Sequence, residues 1–388
     1  MSASSVRTVV PLAIVTCTSM LAMDFYLPAV PSLQAWFGID VTLAQATIAV
    51  FFAGLAASQL IWAEIMARLG PRGCVRIGVW LLVVASAGAA LAPNIEMLIA
   101  LRTIQGFAAG AATVVAPSVV RATLDDAAAV RALAAIAMIE AVVPAIGPVL
   151  GAVLLSYTDW RGTFWVLAGA TLLAIPFAIR AAPRELAGLD RRVVSTYASI
   201  LSNGRYTRLA LSHALSMGAL LTFIASAPQL MTHALALGTS WFAGLQAIGV
   251  AAFMITASQA GRISARIGAP RAVQIGSAVQ LVASAWMLVL SHFVDLSFAA
   301  FAVFWFVFCG ALAVRGPSAF SEALKLPASQ LGRASAMLVL FILLAGAVGT
   351  QVVAPFMDGH STTGLLLGIT VPSLISMVLV LPFPGPTR

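Results

Sequence analysis

Apolar residues run along this chain in long blocks, and the short segments between them carry nearly all the charge. A membrane-crossing helix needs about 20 mostly apolar residues. Blocks of roughly that kind occur twelve times, at about 9–30, 42–62, 75–92, 97–120, 132–155, 163–180, 206–230, 240–261, 272–291, 297–315, 333–355 and 362–383. The longest polar stretch runs from Ala181 to Arg205 and contains Arg184, Glu185, Asp190, Arg191, Arg192 and Arg205. It separates six blocks from six. The pattern therefore predicts an all-α membrane protein of twelve transmembrane helices, with six-helix bundles at residues 1–180 and 206–388 and a cytoplasmic linker at 181–205.

Composition narrows the class. The chain is 61% hydrophobic and 9% charged, with a mean hydropathy of +1.02; soluble domains are about 25% charged. A soluble enzyme and a disordered chain are both excluded. A net charge of +8 would suggest nucleic acid in a soluble protein, but here the basic residues follow topology. With the N-terminus in the cytoplasm, Arg102 falls within a span and Arg161 in an outer loop. The other 21 − 2 = 19 Lys and Arg fall in inner loops, inner helix ends or the tails. The positive-inside rule then places both termini in the cytoplasm. Asp40, Glu96, Asp159, Asp295 and Asp358 occupy the outer loops. The start, with Arg7 ahead of an apolar run, lacks a small-x-small cleavage site and reads as the first helix. Cys17, Cys74 and Cys309 have no metal spacing, and His213, His233, His292 and His360 lie on separate segments. No P-loop is present. Neither a metal, a cofactor nor ATP is expected, and a membrane-embedded enzyme lacks its cluster of catalytic residues.

An internal repeat supports the division into halves. ARLGPRGCVRIG at Ala67–Gly78 recurs as ARIGAPRAVQIG at Ala265–Gly276, with Ala67/Ala265, Arg68/Arg266, Gly70/Gly268, Val75/Val273, Ile77/Ile275 and Gly78/Gly276 identical. Each copy joins the second and third span of its half. This implies a duplicated six-helix unit, with parallel repeats related by an axis along the membrane normal. Arg68, Arg72, Arg76, Arg262, Arg266 and Arg271 also enforce topology.

Charges inside spans are costly and mark function. Asp24 lies in the run LAMDFYLPAVP, about six residues from the outer end of span one. It is expected to bind and release a proton or to hold a cation; the alternative is a position at the water interface, because Tyr26, Pro28 and Pro31 could end or break the helix. Arg102 lies about five residues into span four, a depth of about 8 Å. It is expected to lower the proton affinity of Asp24 in one state and release it in another. Alternatively Arg102 is in a static pair or bonded to carbonyls. Glu140, near the middle of span five, is either a second proton site, a counter-ion for cationic substrates, or a protonated group hydrogen-bonded between helices. Gly106 and Gly110 form a small-xxx-small face for close helix packing, and Gln105 is placed to bond substrate or Arg102. Gly147, Pro148 and Gly151 predict a bent, tightly packed span five. The C-terminal half has no charge deep in a span, and Arg315 closes span ten as an inner anchor. Its apolar and aromatic walls suit a lipophilic ligand. Tyr26 and Gln105 in the first half, with Phe223, Gln229, Gln246, Phe253, Trp305 and Phe341 in the second, are the substrate-binding candidates. The neighbouring Met254, Phe304, Met337 and Gln351 belong to the same group of polar and aromatic positions.

Several of these segments resemble one family. AMDFYLPAVPSL is similar to a first-span signature, LRTIQGFAAGAA at Leu101–Ala112 to a fourth-span motif built on an arginine and Gln-Gly, and PAIGPVLGA at Pro144–Ala152 to the antiporter motif of the fifth span. DWRGTFW at Asp159–Trp165 matches the entry to span six. Together they resemble the major facilitator superfamily, and within it the twelve-helix drug:proton antiporters of the Bcr/CflA type, which include phenicol exporters. The inner-loop motif keeps Arg68, Gly70 and Arg72 but departs at Ala63 and Ala67, where the family usually carries Gly and Asp. The resemblance implies a monomer in the bacterial inner membrane. It also implies that outside protons drive a small lipophilic drug outward by alternating access, with substrate near mid-membrane between the halves. A proton symporter for a metabolite is the rival reading, and a channel fits duplicated halves less well.

Overall fold

The computed structural model describes residues 3–124, 126–184, 197–327, 330–357 and 362–382. Among them the chain is helical, in thirteen α-helices: α1 Ala3–Asp24, α2 Val30–Phe37, α3 Val41–Ala90, α4 Ile95–Thr123, α5 Asp126–Leu155, α6 Trp160–Ala181, α7 Tyr197–Leu201, α8 Gly204–Gln229, α9 Thr239–Ile267, α10 Ala269–Leu290, α11 Phe298–Ala323, α12 Leu331–Val353 and α13 Thr363–Val378. A 3₁₀ turn, Leu27–Ala29, joins α1 to α2, and a π turn, Leu230–Ala234, ends α8. Among the described residues nine segments are long and apolar enough to cross a membrane. One of them, α3, is 50 residues long and holds two spans. With the shorter apolar Val142–Leu155 and α13, the total is 9 + 1 + 2 = 12.

Polar residues at the ends of the apolar blocks start the helices. Asp40 accepts from the Leu43 amide at 2.8 Å, Asn94 from Met97 at 2.9 Å, Asp159 from Arg161 at 2.9 Å and Asn203 from Tyr206 at 3.0 Å. Each satisfies an amide that the first turn leaves free.

The two copies of the repeat share an unusual backbone. Gly70 breaks α3 with φ 70° and ψ 170°, and Gly268 separates α9 from α10 with φ 84° and ψ 146°. Only glycine tolerates that region readily. The second shared glycine sits where two helices nearly touch. A Cβ on Gly78 would strike Ala111 of α4, and one on Gly276 would stand 2.6 Å from Arg315 Cβ of α11.

The chain divides into two compact units, Met1–Arg192 and Val193–Arg388. In the first, Leu12, Val15, Trp62, Met66, Val75, Val79, Val115 and Val119 form a core shared by α1, α3 and α4. In the second, α8 packs on α11, α12 and α13. The outsides are apolar: Val84, Leu173, Ile255, Val282, Trp286 and Val303 are exposed. The insides hold the polar groups, among them Gln45, Ser86, Arg102, Gln105, Gln280 and Arg315. That inversion suits a hydrocarbon surround.

Two expectations are corrected. Span one does not end near residue 30, because α2 carries it to Phe37. Pro31 lies in the first turn of α2, where its missing N–H removes no helical bond. Asp24 is therefore 37 − 24 = 13 residues from the end of the span, not six. Nor does span ten close at Arg315, since α11 continues to Ala323.

Candidate functional site

Asp24 is the last residue of α1, at the point where span one breaks. The turn that follows is tight: Phe25 N–H donates to Leu21 O at 3.0 Å and Tyr26 N–H to Met23 O at 3.2 Å. Pro28 then fixes the 3₁₀ turn. The break is seated in a notch on α5. A Cβ on Gly147 would lie 2.6 Å from Asp24 Cβ, and one on Gly151 would strike Phe25 O and approach Pro28 Cγ at 3.3 Å. Gly147 and Gly151 are one helical turn apart and share a face. Pro148 is buried between them. The span-five glycines and the span-one acid thus belong to one contact. Asp24 is 9% exposed, and no hydrogen bond or ion pair from the described residues reaches its carboxylate.

Arg102 lies seven residues into α4 (102 − 95) and is fully buried. The expected contact with Asp24 is not formed. Its Nη1 donates to Ala22 O at 2.8 Å and to Gln105 Oε1 at 3.0 Å, and Nε donates to Thr47 O at 3.3 Å. Nη2 lies 3.8 Å from Met23 Sδ. The guanidinium carbon stands 4.3 Å from the centre of the Tyr26 ring and 4.4 Å from that of Phe51, with Phe164 at 5.9 Å. The charge is met by carbonyl dipoles and aromatic faces rather than by a carboxylate. Its effect on Asp24 runs through the backbone, because it grips the two residues that precede the acid.

Gln105 completes the cage. Its Nε2 donates to Ser86 Oγ at 2.8 Å while Oε1 accepts from Arg102. The Tyr26 hydroxyl is 2.8 Å from Thr47 Oγ1, and its ring packs 5.0 Å from Phe164. Both Tyr26 and Gln105 are buried and spent on protein contacts. A Cβ on Gly106 would strike Phe51 O, so this glycine lets α4 lie close against α3 and keeps Arg102 at its station. Thr47, Phe51, Ser86 and Phe164 escaped the sequence reading. Nothing distinguishes a serine or phenylalanine that serves an arginine from any other in an apolar run.

Glu140 belongs to α5, but its side chain lies outside the described residues. In the inner-loop motif, Arg68 is exposed. Arg72 Nε donates to Ala182 O at 2.8 Å, and its amide donates to Pro183 O at 3.1 Å. Gly70 lies against Arg184 O. The motif loop therefore holds the segment leaving α6.

In the second unit the candidate ligand residues are partly assembled. The Phe223 and Trp305 rings are 4.4 Å apart, with Phe304 5.5 Å from Phe223 and Phe308 6.0 Å from Trp305. Trp305 presses its indole edge on Gly249 of α9, and neither its Nε1 nor Gln246 Oε1 has a hydrogen-bond partner among the described residues. Gln229 is buried at the end of α8. Phe253 and Phe341 are half-buried on α9 and α12.

Arg315 was missed as a buried charge. It is fully buried within α11, with Nη2 2.8 Å from Ser212 Oγ and Nη1 3.4 Å from Ser212 O. Two turns on, Glu322 pairs with Arg205 and with Lys325, each at 2.6 Å.

The family model of the Major Facilitator Superfamily matches residues 12–384. The chain is 26% identical over 370 residues to the multidrug resistance protein MdtL of Escherichia coli O45:K1 (strain S88 / ExPEC), covering 94% of this chain and 92% of that protein. The same figures hold for MdtL of Escherichia coli strain K12 / DH10B. Among solved structures, the xylose transporter XylE from E. coli in a partially occluded inward-open conformation superposes with a TM-score of 0.77 at 13% identity, over 100% of both chains. A D-xylose-proton symporter superposes at 0.74 and 14% identity, over 97% of this chain and 98% of that one. At such identities the likeness is one of fold.

Proposed function

The chain belongs to the Major Facilitator Superfamily, and from that premise we propose that it exports small lipophilic drugs in exchange for protons. A proton-coupled transporter needs a group that changes charge as access alternates. Asp24 carries this reading: it is a buried acid without a partner among the described residues, at a helix break, seated on Gly147 and Gly151. A carboxylate at this depth holds its charge only while water or a cation reaches it. Entry of water from one side takes the proton off; entry from the other restores it. Either event changes the packing of the break on α5. Arg102 acts as a positioning residue through Ala22 and Met23, and Glu140 serves as a second acid on the same helix as the notch. The buried aromatic group around Phe223 and Trp305, beside Gln246, is the lipophilic wall on which a substrate would dock in the second unit, once a side chain of the group moves aside.

The multidrug resistance relatives support export of drugs rather than uptake of a metabolite. The remaining features follow from the same reading. Both termini face the cytoplasm, the segment 181–205 links the halves, and the protein works as a monomer in a bacterial inner membrane. The test is drug accumulation in cells with an intact or collapsed proton gradient, for the wild type and Asp24→Asn. Low accumulation is expected only in energised wild-type cells. Equal accumulation in all four conditions refutes coupled export, and gradient-driven accumulation above the passive level would assign uptake instead.

A further inference from the structure

The two buried arginines are treated differently by their surroundings. Arg102 has two carbonyls, an amide oxygen, a thioether and three aromatic rings around it. Arg315 is equally buried, yet among the described residues its hydrogen bonds go only to Ser212, and its Nε has no partner. A guanidinium offers five N–H donors. Leaving a charged group in that condition costs several kcal/mol. No carboxylate among the described residues answers it. Glu322 is the acid nearest along α11, and its two oxygens are taken by Arg205 and Lys325.

The neighbouring orphans are of one kind. His213 follows Ser212 on α8, is 5% exposed, lies within electrostatic reach of Arg315 and has an unpartnered Nδ1. One turn along α8, Ser216 donates to Gln280 Oε1 of α10, which leaves the buried Gln280 Nε2 without an acceptor. All three orphans are nitrogens able to donate, and what the site lacks is negative charge. Ser212 gives Arg315 neutral oxygens only, and its hydroxyl donates to Ser376 O while the Ser376 hydroxyl donates to Ser212 O across α8 and α13. There is also room. Outside its own helix, a Cβ on Gly316 would meet only His213 Cε1, at 3.9 Å.

The geometry points to a buried anion site in the second unit, formed by Arg315 with His213 and Gln280 as further donors, that takes a small monovalent anion: a halide, or a carboxylate either free or carried by a substrate. Water could fill N–H directions but would leave the guanidinium charge without a counter-ion.

Thermal unfolding of the purified full-length protein tests this, with sodium chloride, bromide or benzoate each exchanged for sodium gluconate, taken as too bulky to enter, at constant ionic strength. An anion at about five times its dissociation constant raises the wild-type Tm by about 1–2 °C. Arg315→Gln removes the increment, and His213→Gln reduces it. A response to chloride and bromide alone marks a resident inorganic anion; a response to benzoate that chloride competes away marks recognition of a substrate's acid group. If Arg315→Gln does not fold, anomalous scattering from bromide-soaked wild-type crystals decides, with a peak expected in contact with Arg315. Curves that superpose with gluconate in the wild type, or crystals without that peak, overturn the site.

Discussion

Arg102 does its work with geometry as much as with charge. Its fork spans carbonyls on α1 and α3 and the Gln105 side chain, and its plane lies against Tyr26 and Phe51. Lysine keeps the charge but has neither the fork nor the plane. Arg102→Lys is therefore expected to lower proton-driven drug export at least tenfold while the protein still reaches the membrane, measured in inverted vesicles normalised to protein level. Full export by this variant would mean that the charge alone suffices. The notch on α5 makes a second prediction. Gly147→Ala places a methyl group 2.6 Å from Asp24 Cβ, and overpacking of this kind costs about 1–3 kcal/mol. Export driven by a pH gradient should fall severalfold. Ile146→Ala, one position away on an exposed face, should be neutral. Both acids and Arg102 were legible because a charge in an apolar run stands out. The contact between Asp24 and Gly147, more than a hundred residues apart, was not, because close approach leaves no trace beyond the glycine itself.

Helix breaks are where local sequence and tertiary need coincide. Gly70 and Gly268 occupy matching places in the repeat with similar positive φ, so the repeated sequence encodes a repeated turn. Alanine at either position incurs roughly 1–3 kcal/mol of backbone strain. Their surroundings differ. A Cβ on Gly70 would strike Arg184 O, whereas one on Gly268 would meet only Pro270 Cδ at 3.9 Å. Gly70→Ala should thus lower the Tm of the purified protein more than Gly268→Ala; equal losses would mean that strain alone sets the cost. Helix ends were less legible. Hydropathy follows the apolar run, and α11 outlasts its run by two turns because Glu322 is neutralised by Arg205 and Lys325. A polar segment whose charges are paired reads as a loop. The same cause moved Arg315 from the inside of a helix to its edge. In span one, Pro31 looked like a stop and is instead a start.

At the scale of the whole molecule, most charges other than Asp24, Arg102, Glu140 and Arg315 fall at the ends of each unit's helices. In the first unit Arg72 reaches Ala182, tying the α3 break to the end of α6. At the opposite ends Arg161 donates to Ala90 O at 3.1 Å, joining the start of α6 to the end of α3. The ends around Gly70 and Ala182 carry Arg68, Arg72, Arg76, Arg180 and Arg184; those around Ala90 carry Asp40, Glu96 and Asp159, with Arg161 close to Asp159 at 3.8 Å. The matching loop of the second unit carries Arg262, Arg266 and Arg271. Basic ends stay in the cytoplasm during insertion, so both loops should face inward. Single cysteines test this in a variant with Cys17, Cys74 and Cys309 replaced. Tyr157→Cys and Phe293→Cys, at 83% and 79% exposed positions, should react with a membrane-impermeant maleimide on intact cells. Arg68→Cys and Arg266→Cys should react only after permeabilisation. The opposite pattern would invert the chain in the membrane, and with it the side from which the proposed exchange brings protons to Asp24.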